Sequence, residues 1–309
     1  MKNIKHILIC GAGMMGKNIA FVMSSNPAYE VGVYDLYPTD VEAGIRTNTK
    51  QLVDKGILSE EELAERLSRI SFTTDIDSAM VSKADFVIEA VFEDMQVKRD
   101  TFAKLEARCR PDTIFCTNSS VMSPSEISRD LTYRERFVGT HFWNPGHLIP
   151  LVEVIKSDAS SDDVAQTVME VLASVGKEPV LCKKDVPGFI ANRMQHALWR
   201  EAISIVERGI ADAATVDKAV KYSFGLRLPK LAPMENADMV GLDLTYNIHD
   251  YILKDLEDSH EPSPLLKQLR DEGKLGFKTG EGFQRWTAEE TAASGAALNE
   301  YLIRMLYGK

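Results

Sequence analysis

The sequence has little cysteine, less positive than negative charge and no long apolar run, and each shortage removes a class of protein. Its four cysteines, Cys10, Cys109, Cys116 and Cys182, are widely spread. None forms a C-x-x-C pair or joins a Cys/His cluster, which argues against a zinc site or a disulfide framework and points to a reduced, cytoplasmic protein without a metal centre. Basic residues number 36 against 46 acidic ones, a formal charge of −10. A chain so charged has no general affinity for nucleic-acid backbones or anionic membrane surfaces. The longest uncharged stretch, 137–152, is broken by Gly139, Asn144, Pro145, Gly146 and Pro150. It is too short and too irregular to span a bilayer. Lys2 and Lys5 followed by ILIC imitate a signal peptide, but Gly11, Gly13 and Gly16 interrupt the apolar run and Lys17 ends it, so strand and loop are expected there rather than export.

What the sequence does contain is a globular composition, with 44% hydrophobic residues over 309 positions. Single cores stop growing at roughly 250–300 residues, so two domains are expected. Up to about residue 185, short apolar runs alternate with helical stretches: KHILIC (5–10), VGVYD (31–35), ISFTT (70–74), DFVIEA (85–90), TIFCTN (113–118), RFVGTHF (136–142), LVEVI (151–155) and EPVLC (178–182). That pattern predicts an α/β domain, a mostly parallel sheet with crossover helices. The stretch 36–69 is long for one crossover and charge-rich, with Gly56 in its middle, and predicts two helices around a turn. After Asp185 the periodicity is helical throughout. It begins with a long helix carrying Pro187 in its first turn, followed by runs over 211–222, 237–256 and about 287–309. The expected division is therefore a sheet domain over 1–185 and an all-α domain over 186–309.

G-x-G-x-x-G occurs as Gly11, Gly13 and Gly16, straight after a strand and opening a helix. Such glycines permit a tight turn, approach of a pyrophosphate to backbone N–H groups, and close helix–strand contact. The next strand ends in Asp35, where a carboxylate accepts from an adenine ribose and repels a 2′-phosphate. A Rossmann-type NAD site is the expectation, with NAD preferred over NADP. A plain glycine-rich turn beside a strand-end aspartate is the alternative.

Oxidation of an alcohol by hydride transfer needs a base for the hydroxyl proton, a group that fixes the base, and polar contacts for the oxygen. Of six histidines, His141 alone is expected at the C-terminal end of a strand, where open α/β sheets bind ligands. In LVEVI the faces alternate, so Glu153 shares a face with Leu151 and Ile155, and a buried acid there needs a partner. A histidine on an adjacent strand would supply one. The alternative is an edge strand whose glutamate reaches water.

HFWNP (141–145) followed by LVEV, NSS (118–120), VPGFIANR (186–193) and GFKTGEGF (276–283) resemble the L-3-hydroxyacyl-CoA dehydrogenases, including the 3-hydroxybutyryl-CoA dehydrogenases, in order over about residues 1–286. The resemblance implies NAD-dependent, reversible oxidation of an (S)-3-hydroxyacyl-CoA to the 3-ketoacyl-CoA, a place in fatty-acid β-oxidation, and a homodimer built on the helical domain. It implies that His141 takes the hydroxyl proton, that Glu153 orients it, and that Ser120, chosen over Ser119 by spacing, and Asn192 contact the reacting oxygen. It further implies cofactor contacts for Glu93, Lys98, Asn144 and Lys278, although Glu93 and Lys98 would otherwise pass for solvated charges at a helix start. In the 36–69 hairpin it implies contacts to CoA for Asn48 and Lys55. One departure is the segment Gly146, His147, Leu148, Ile149 and Pro150, which is similar to relatives acting on free hydroxy acids such as L-gulonate or carnitine. A second is the last helix, about 287–309, beyond the shorter family members, whose apolar face suggests dimer or domain packing. A free hydroxy acid is thus the alternative substrate, and a non-catalytic NAD-binding structural protein a third reading. The presence of the base, its orienting acid and both polar contacts weakens that third one.

Overall fold

The structure is a computed structural model that describes residues 4–308, so Lys2 lies outside it. All eight apolar runs form strands: β1 (His6–Cys10), β2 (Glu30–Tyr34), β3 (Ile70–Thr73), β4 (Phe86–Glu89), β5 (Ile114–Thr117), β6 (Phe137–Phe142), β7 (Leu151–Lys156) and β8 (Glu178–Cys182). Among the described residues they build one sheet in the order β3-β2-β1-β4-β5-β6-β7-β8. Pairing is parallel from β3 through to β6. β7 then runs antiparallel to β6, and β8 parallel to β7. Strand order reverses at β1, which lies between β2 and β4, and such a reversal opens a ligand crevice at the C-terminal strand edge.

Residues of the inner strands are apolar at successive positions because both sheet faces are covered there. Ile7 and Ile9 join one core with Ile19, Val33, Ile88 and Leu172, while Leu8 and Cys10 join the other with Val87, Phe102 and Phe137. The covering helices of this half are α1 (Met14–Met23), α2 (Val41–Asp54), α3 (Glu60–Ser68), α4 (Ala79–Ser82), α5 (Met95–Glu106), α6 (Pro124–Ile127) and α7 (Asp162–Ser174). The expected hairpin is the pair α2 and α3. Asp40 caps α2 by accepting from the Ala43 amide, and Ser59 with Glu62 forms a capping box on α3. Gly56, at φ 60°, supplies the left-handed residue of the turn between them.

The remaining helices are α8 (Ala191–Glu207), α9 (Ala213–Lys221), α10 (Phe224–Arg227), α11 (Pro233–Val240), α12 (Leu242–Ile252), α13 (Pro264–Asp271) and α14 (Ala288–Tyr307). Two differ from expectation. The long helix opens at Ala191, after Pro187 rather than around it, because Gly188 (φ 76°) and Phe189 (φ 51°) both hold left-handed backbone. The run 237–256 is two helices, broken at Gly241 with φ 101°.

Two compact units result, one comprising the sheet through Ala191 together with the segment from Asn299, the other Asn192–Leu298. The end of α14 therefore belongs with the sheet and not with the helices that precede it. Ile303 is fully buried in the sheet core, with Leu302 packed beside it. Within the helical unit, Arg208 pairs with Asp255 at 3.1 Å and Glu201 accepts from the Glu257 amide at 2.8 Å.

Phe102 of α5 stacks edge-on against Phe137 (4.7 Å between centroids) and Phe115 (5.9 Å), and none of the three is more than 1% exposed. Phe102→Ala should cost about 3–5 kcal/mol in denaturant unfolding, the range for emptying an aromatic core site. A loss under about 1 kcal/mol would show that this cluster does not carry the α5 face.

Candidate active site

The glycine loop follows β1 directly. Gly11 donates its amide to the Tyr34 carbonyl (2.8 Å) and holds φ 109°. A Cβ on it would stand 2.5 Å from the Ala90 carbonyl oxygen. A Cβ on Gly16 would stand 1.8 Å from the Gly11 carbonyl oxygen, so α1 can lie this close to the loop only with glycine there. At Gly13 a Cβ would meet nothing within 4 Å. Gly13 is the N-cap of α1, no side chain caps that end, and the first turn has no acid. Open space in front of uncapped amides is what a pyrophosphate requires. Asp35, directly after β2, accepts from the Ala12 amide (2.7 Å) through one carboxylate oxygen and from the Tyr37 amide (3.0 Å) through the other. These features fit NAD: helix amides for its phosphates and a carboxylate for its ribose.

His141 and Glu153 are register partners across the antiparallel β6–β7 pair. Their side chains meet, His141 Nδ1 lying 2.9 Å from Glu153 Oε2, with the histidine 4% exposed and the glutamate 0%. Glu153 has three further donors. Trp143 Nε1 reaches Oε2 at 3.3 Å, and the amides of Ile190 and Ala191 reach Oε1 at 2.8 and 3.0 Å. Burial pushes this carboxyl up, but the His141 bond, the two amides and the Trp143 bond outweigh it and hold it below its ordinary value. The left-handed pair Gly188 and Phe189 turns the chain so that two consecutive amides face one oxygen. Phe189 is itself buried, its ring 5.7 Å from that of His141.

A second buried network lies at the ends of β4 and β5. Lys98 is 1% exposed, and its ammonium lies 2.8 Å from Glu89 and 3.0 Å from Glu93. Glu89 also accepts from Thr117 Oγ1 (2.7 Å) and the Val91 amide (2.7 Å). Burial raises the Glu89 carboxyl above its ordinary value despite the lysine. Glu93 accepts from the Ser119 hydroxyl and the Ser120 amide; burial opposes its charge, but Ser119 and then Lys98 hold its carboxyl below the usual value. Lys98 is thus no solvated charge. Ser119 is buried and its hydroxyl is committed to Glu93, whereas Ser120 is exposed.

The loop after β6 carries exposed Asn144, which precedes a cis proline. Lys177, buried beside β8, donates to the Gly146 and Ile149 carbonyls at 2.7 and 2.8 Å and so ties this loop down. Burial lowers the Lys177 ammonium to about 8, and burial together with Lys177 lowers His147 to about 4. Asn48 of α2 donates to Asn18 of α1 at 2.7 Å. Lys55, at the end of α2, pairs with Glu300 at 3.2 Å. Sequence reasoning gathered His141, Glu153, Glu93, Lys98 and Ser120, all in the sheet unit. Asn192, buried in the first turn of α8, and exposed Lys278 belong to the helical unit. Glu89 and Lys177 were not foreseen from the sequence, and Ser119, the neighbour passed over for Ser120, is the serine committed to Glu93. The one available signal was Glu89, an acid closing the apolar run DFVIEA. Among the described residues no cluster of His, Cys, Asp and Glu could hold a metal ion, and no helix is long and apolar enough to cross a membrane.

Two outcomes are expected. Gly16→Ala should lower Tm, whereas Gly13→Ala should keep Tm and weaken NADH binding, read by fluorescence titration; equal effects on both readouts would break the distinction. For Lys177, a folded value below the unfolded one means that the unfolded chain binds more protons between pH 8 and 10.5, so stability rises with pH in that window. Wild type should gain on Lys177→Met as pH rises through it, and a constant Tm difference would count against a strained charge.

Comparison with known proteins identifies the family. Residues 6–186 match the family model described as 3-hydroxyacyl-CoA dehydrogenase, NAD binding domain, and residues 188–286 its C-terminal domain. The chain is 33% identical to the 5-formyl-3-hydroxy-2-methylpyridine 4-carboxylate 5-dehydrogenase of Mesorhizobium japonicum over 99% of both proteins. It is 36% identical to the human mitochondrial hydroxyacyl-coenzyme A dehydrogenase over 92% of this chain and 91% of that one. A crystal structure of a 5-formyl-3-hydroxy-2-methylpyridine 4-carboxylic acid 5-dehydrogenase, an NAD+ dependent dismutase, superposes with a TM-score of 0.89 at 32% identity, covering 99% of each chain. With both domain models matched in order, and with the glycine loop of its NAD-binding half built as the cofactor requires, the chain belongs to the 3-hydroxyacyl-CoA dehydrogenase family of NAD-dependent oxidoreductases.

Proposed function

We propose that the protein reversibly oxidises a hydroxyl-bearing carbon of a small acid or acyl substrate, with His141 as the base. The observation that carries this reading is the buried His141–Glu153 pair at the ligand edge of an NAD-binding sheet. Glu153 below its ordinary carboxyl value stays an acceptor at neutral pH, so the His141 tautomer that it selects has its proton on Nδ1 and its lone pair on Nε2. Nε2 then takes the hydroxyl proton during oxidation and returns it during reduction, while Glu153 steadies the imidazolium. NAD, when bound, supplies the hydride acceptor. Ser120 and Asn192 hold the substrate oxygen in this reading. The amides at Gly11–Gly16 with Asp35 hold the adenosine diphosphate portion, and Glu93, Lys98, Asn144 and Lys278 serve the nicotinamide side.

Family membership supports a 3-hydroxyacyl-CoA as substrate, with hydride leaving C3 and a role in β-oxidation. A free hydroxy acid is supported by a different observation: similarity to the pyridine carboxylate dehydrogenase extends over 99% of this chain, its last helix included. A homodimer is also part of the proposal. Trp199, Met239, Tyr246 and Tyr251 are exposed apolar side chains of the helical unit in the single chain, and burying them against a second copy would remove a costly surface. So is a reducing, cytoplasmic location, supported by four buried free cysteines.

His141→Gln should lower kcat by about 10²–10⁴-fold, the usual worth of a general base, and leave NADH affinity near wild type. Turnover of that variant at the wild-type rate would remove the proposal. Light scattering on the eluted protein should give twice the chain mass.

A further inference from the structure

The substrate question has a physical handle in the end of α14. After the helical unit the chain returns to the sheet, and Ile303 enters the same core as Ile45, Leu52 and Leu63 of the hairpin α2–α3. Glu300 then ion-pairs with Lys55 at the end of α2. These contacts are made by residues beyond 286, where the match to the family model ends. The hairpin leaves the C-terminal end of β2, the edge on which ligands of such sheets lie.

A CoA thioester brings a diphosphate and a further phosphate, and its recognition needs cations or amides that are not already engaged. The hairpin does not offer them. Residues 40–69 carry seven acids against five bases. Arg46 pairs with Glu42, Lys50 with Asp54 and Arg69 with Glu65, all on their own helices, and the Arg66 guanidinium lies over the Phe21 ring, 5.0 Å from its centroid; Lys55 has its ion pair from outside the hairpin, with Glu300. Asn48 is turned inward to Asn18. Deeper in, Lys98 is committed to Glu89 and Glu93 on the cofactor side, and Lys177 to the Gly146 and Ile149 carbonyls.

We propose that the end of α14 is a specificity element: seated on the hairpin, with Glu300 holding Lys55, it removes the cationic surface a CoA nucleotide would use and reserves the His141 site for a compact hydroxy acid or its carbonyl partner without a nucleotide handle. This rests on the reading of His141 as the base, but only for the reaction; exclusion of CoA is a binding property and is measured without turnover.

The test therefore has two arms. In the first, CoA itself is titrated calorimetrically into the NADH-loaded full chain, Glu300→Ala, Glu300→Lys and Lys55→Ala. Wild type should show no binding up to about 1 mM, and Glu300→Lys should gain at least about tenfold in affinity, with Glu300→Ala intermediate. Micromolar CoA binding to wild type overturns the proposal, and so does failure of both Glu300 variants to gain, provided that their Tm stays at the wild-type value. Glu300→Gln, which keeps the side-chain shape and removes the charge, repeats the comparison in the full chain should either point variant lose stability. In the second arm, NADH oxidation is followed with acetoacetyl-CoA, free acetoacetate and an aromatic formyl carboxylate. Preference for a free acid supports the proposal, and preference for acetoacetyl-CoA overturns it. Absence of turnover on every substrate condemns the assignment of the reaction, while the first arm still decides the exclusion of CoA.

Discussion

The site depends on one constraint: Glu153 is a carboxylate with no solvent exposure, and a charge so placed survives only if every lone pair that water would have served is served by the protein. Four donors meet that demand, and each fixes a different part of the molecule. His141 is fixed in ring orientation, Trp143 in the strand exit, and Ile190 and Ala191 in the turn that opens α8. Removing any one donor leaves a buried charge short of a partner, so the geometry of the base and the path of the backbone at the end of the sheet unit are set together.

The same logic, with the opposite outcome, governs the network around Lys98. There two carboxylates share one ammonium, and burial leaves Glu89 with a raised value while Glu93 is lowered. The inner acid is buffered by the lysine and Thr117, and the outer one orders the Ser119–Ser120 turn. The two networks stand at the ends of neighbouring parallel and antiparallel strands, which is why a sheet that reverses direction once, at β7, can present both at one edge.

The sheet was legible in the sequence because its inner strands, buried on both faces, are written as short apolar runs, and the outer strands β3 and β8, though partly exposed, keep enough of the same pattern for all eight to be found. His141 and Glu153 were legible because alternation puts an acid where only a leucine or isoleucine belongs. What was not legible depends on tertiary contacts. Lys98 reads as a solvated charge at a helix start, since nothing local announces two carboxylates waiting beneath it. Pro187 suggested a helix start that the left-handed Phe189 postpones, and a positive φ at a phenylalanine has no sequence signature. The return of α14 to the sheet could not be read either: an apolar face declares that it will be covered, not by what.

That return has a topological consequence. A chain that leaves the sheet after Ala191 and rejoins it at Asn299 anchors the intervening segment at both ends. The helical unit is then an insertion within the chain of the sheet unit and not a tail attached to it, and a fragment that stops before Asn299 lacks part of the sheet unit itself.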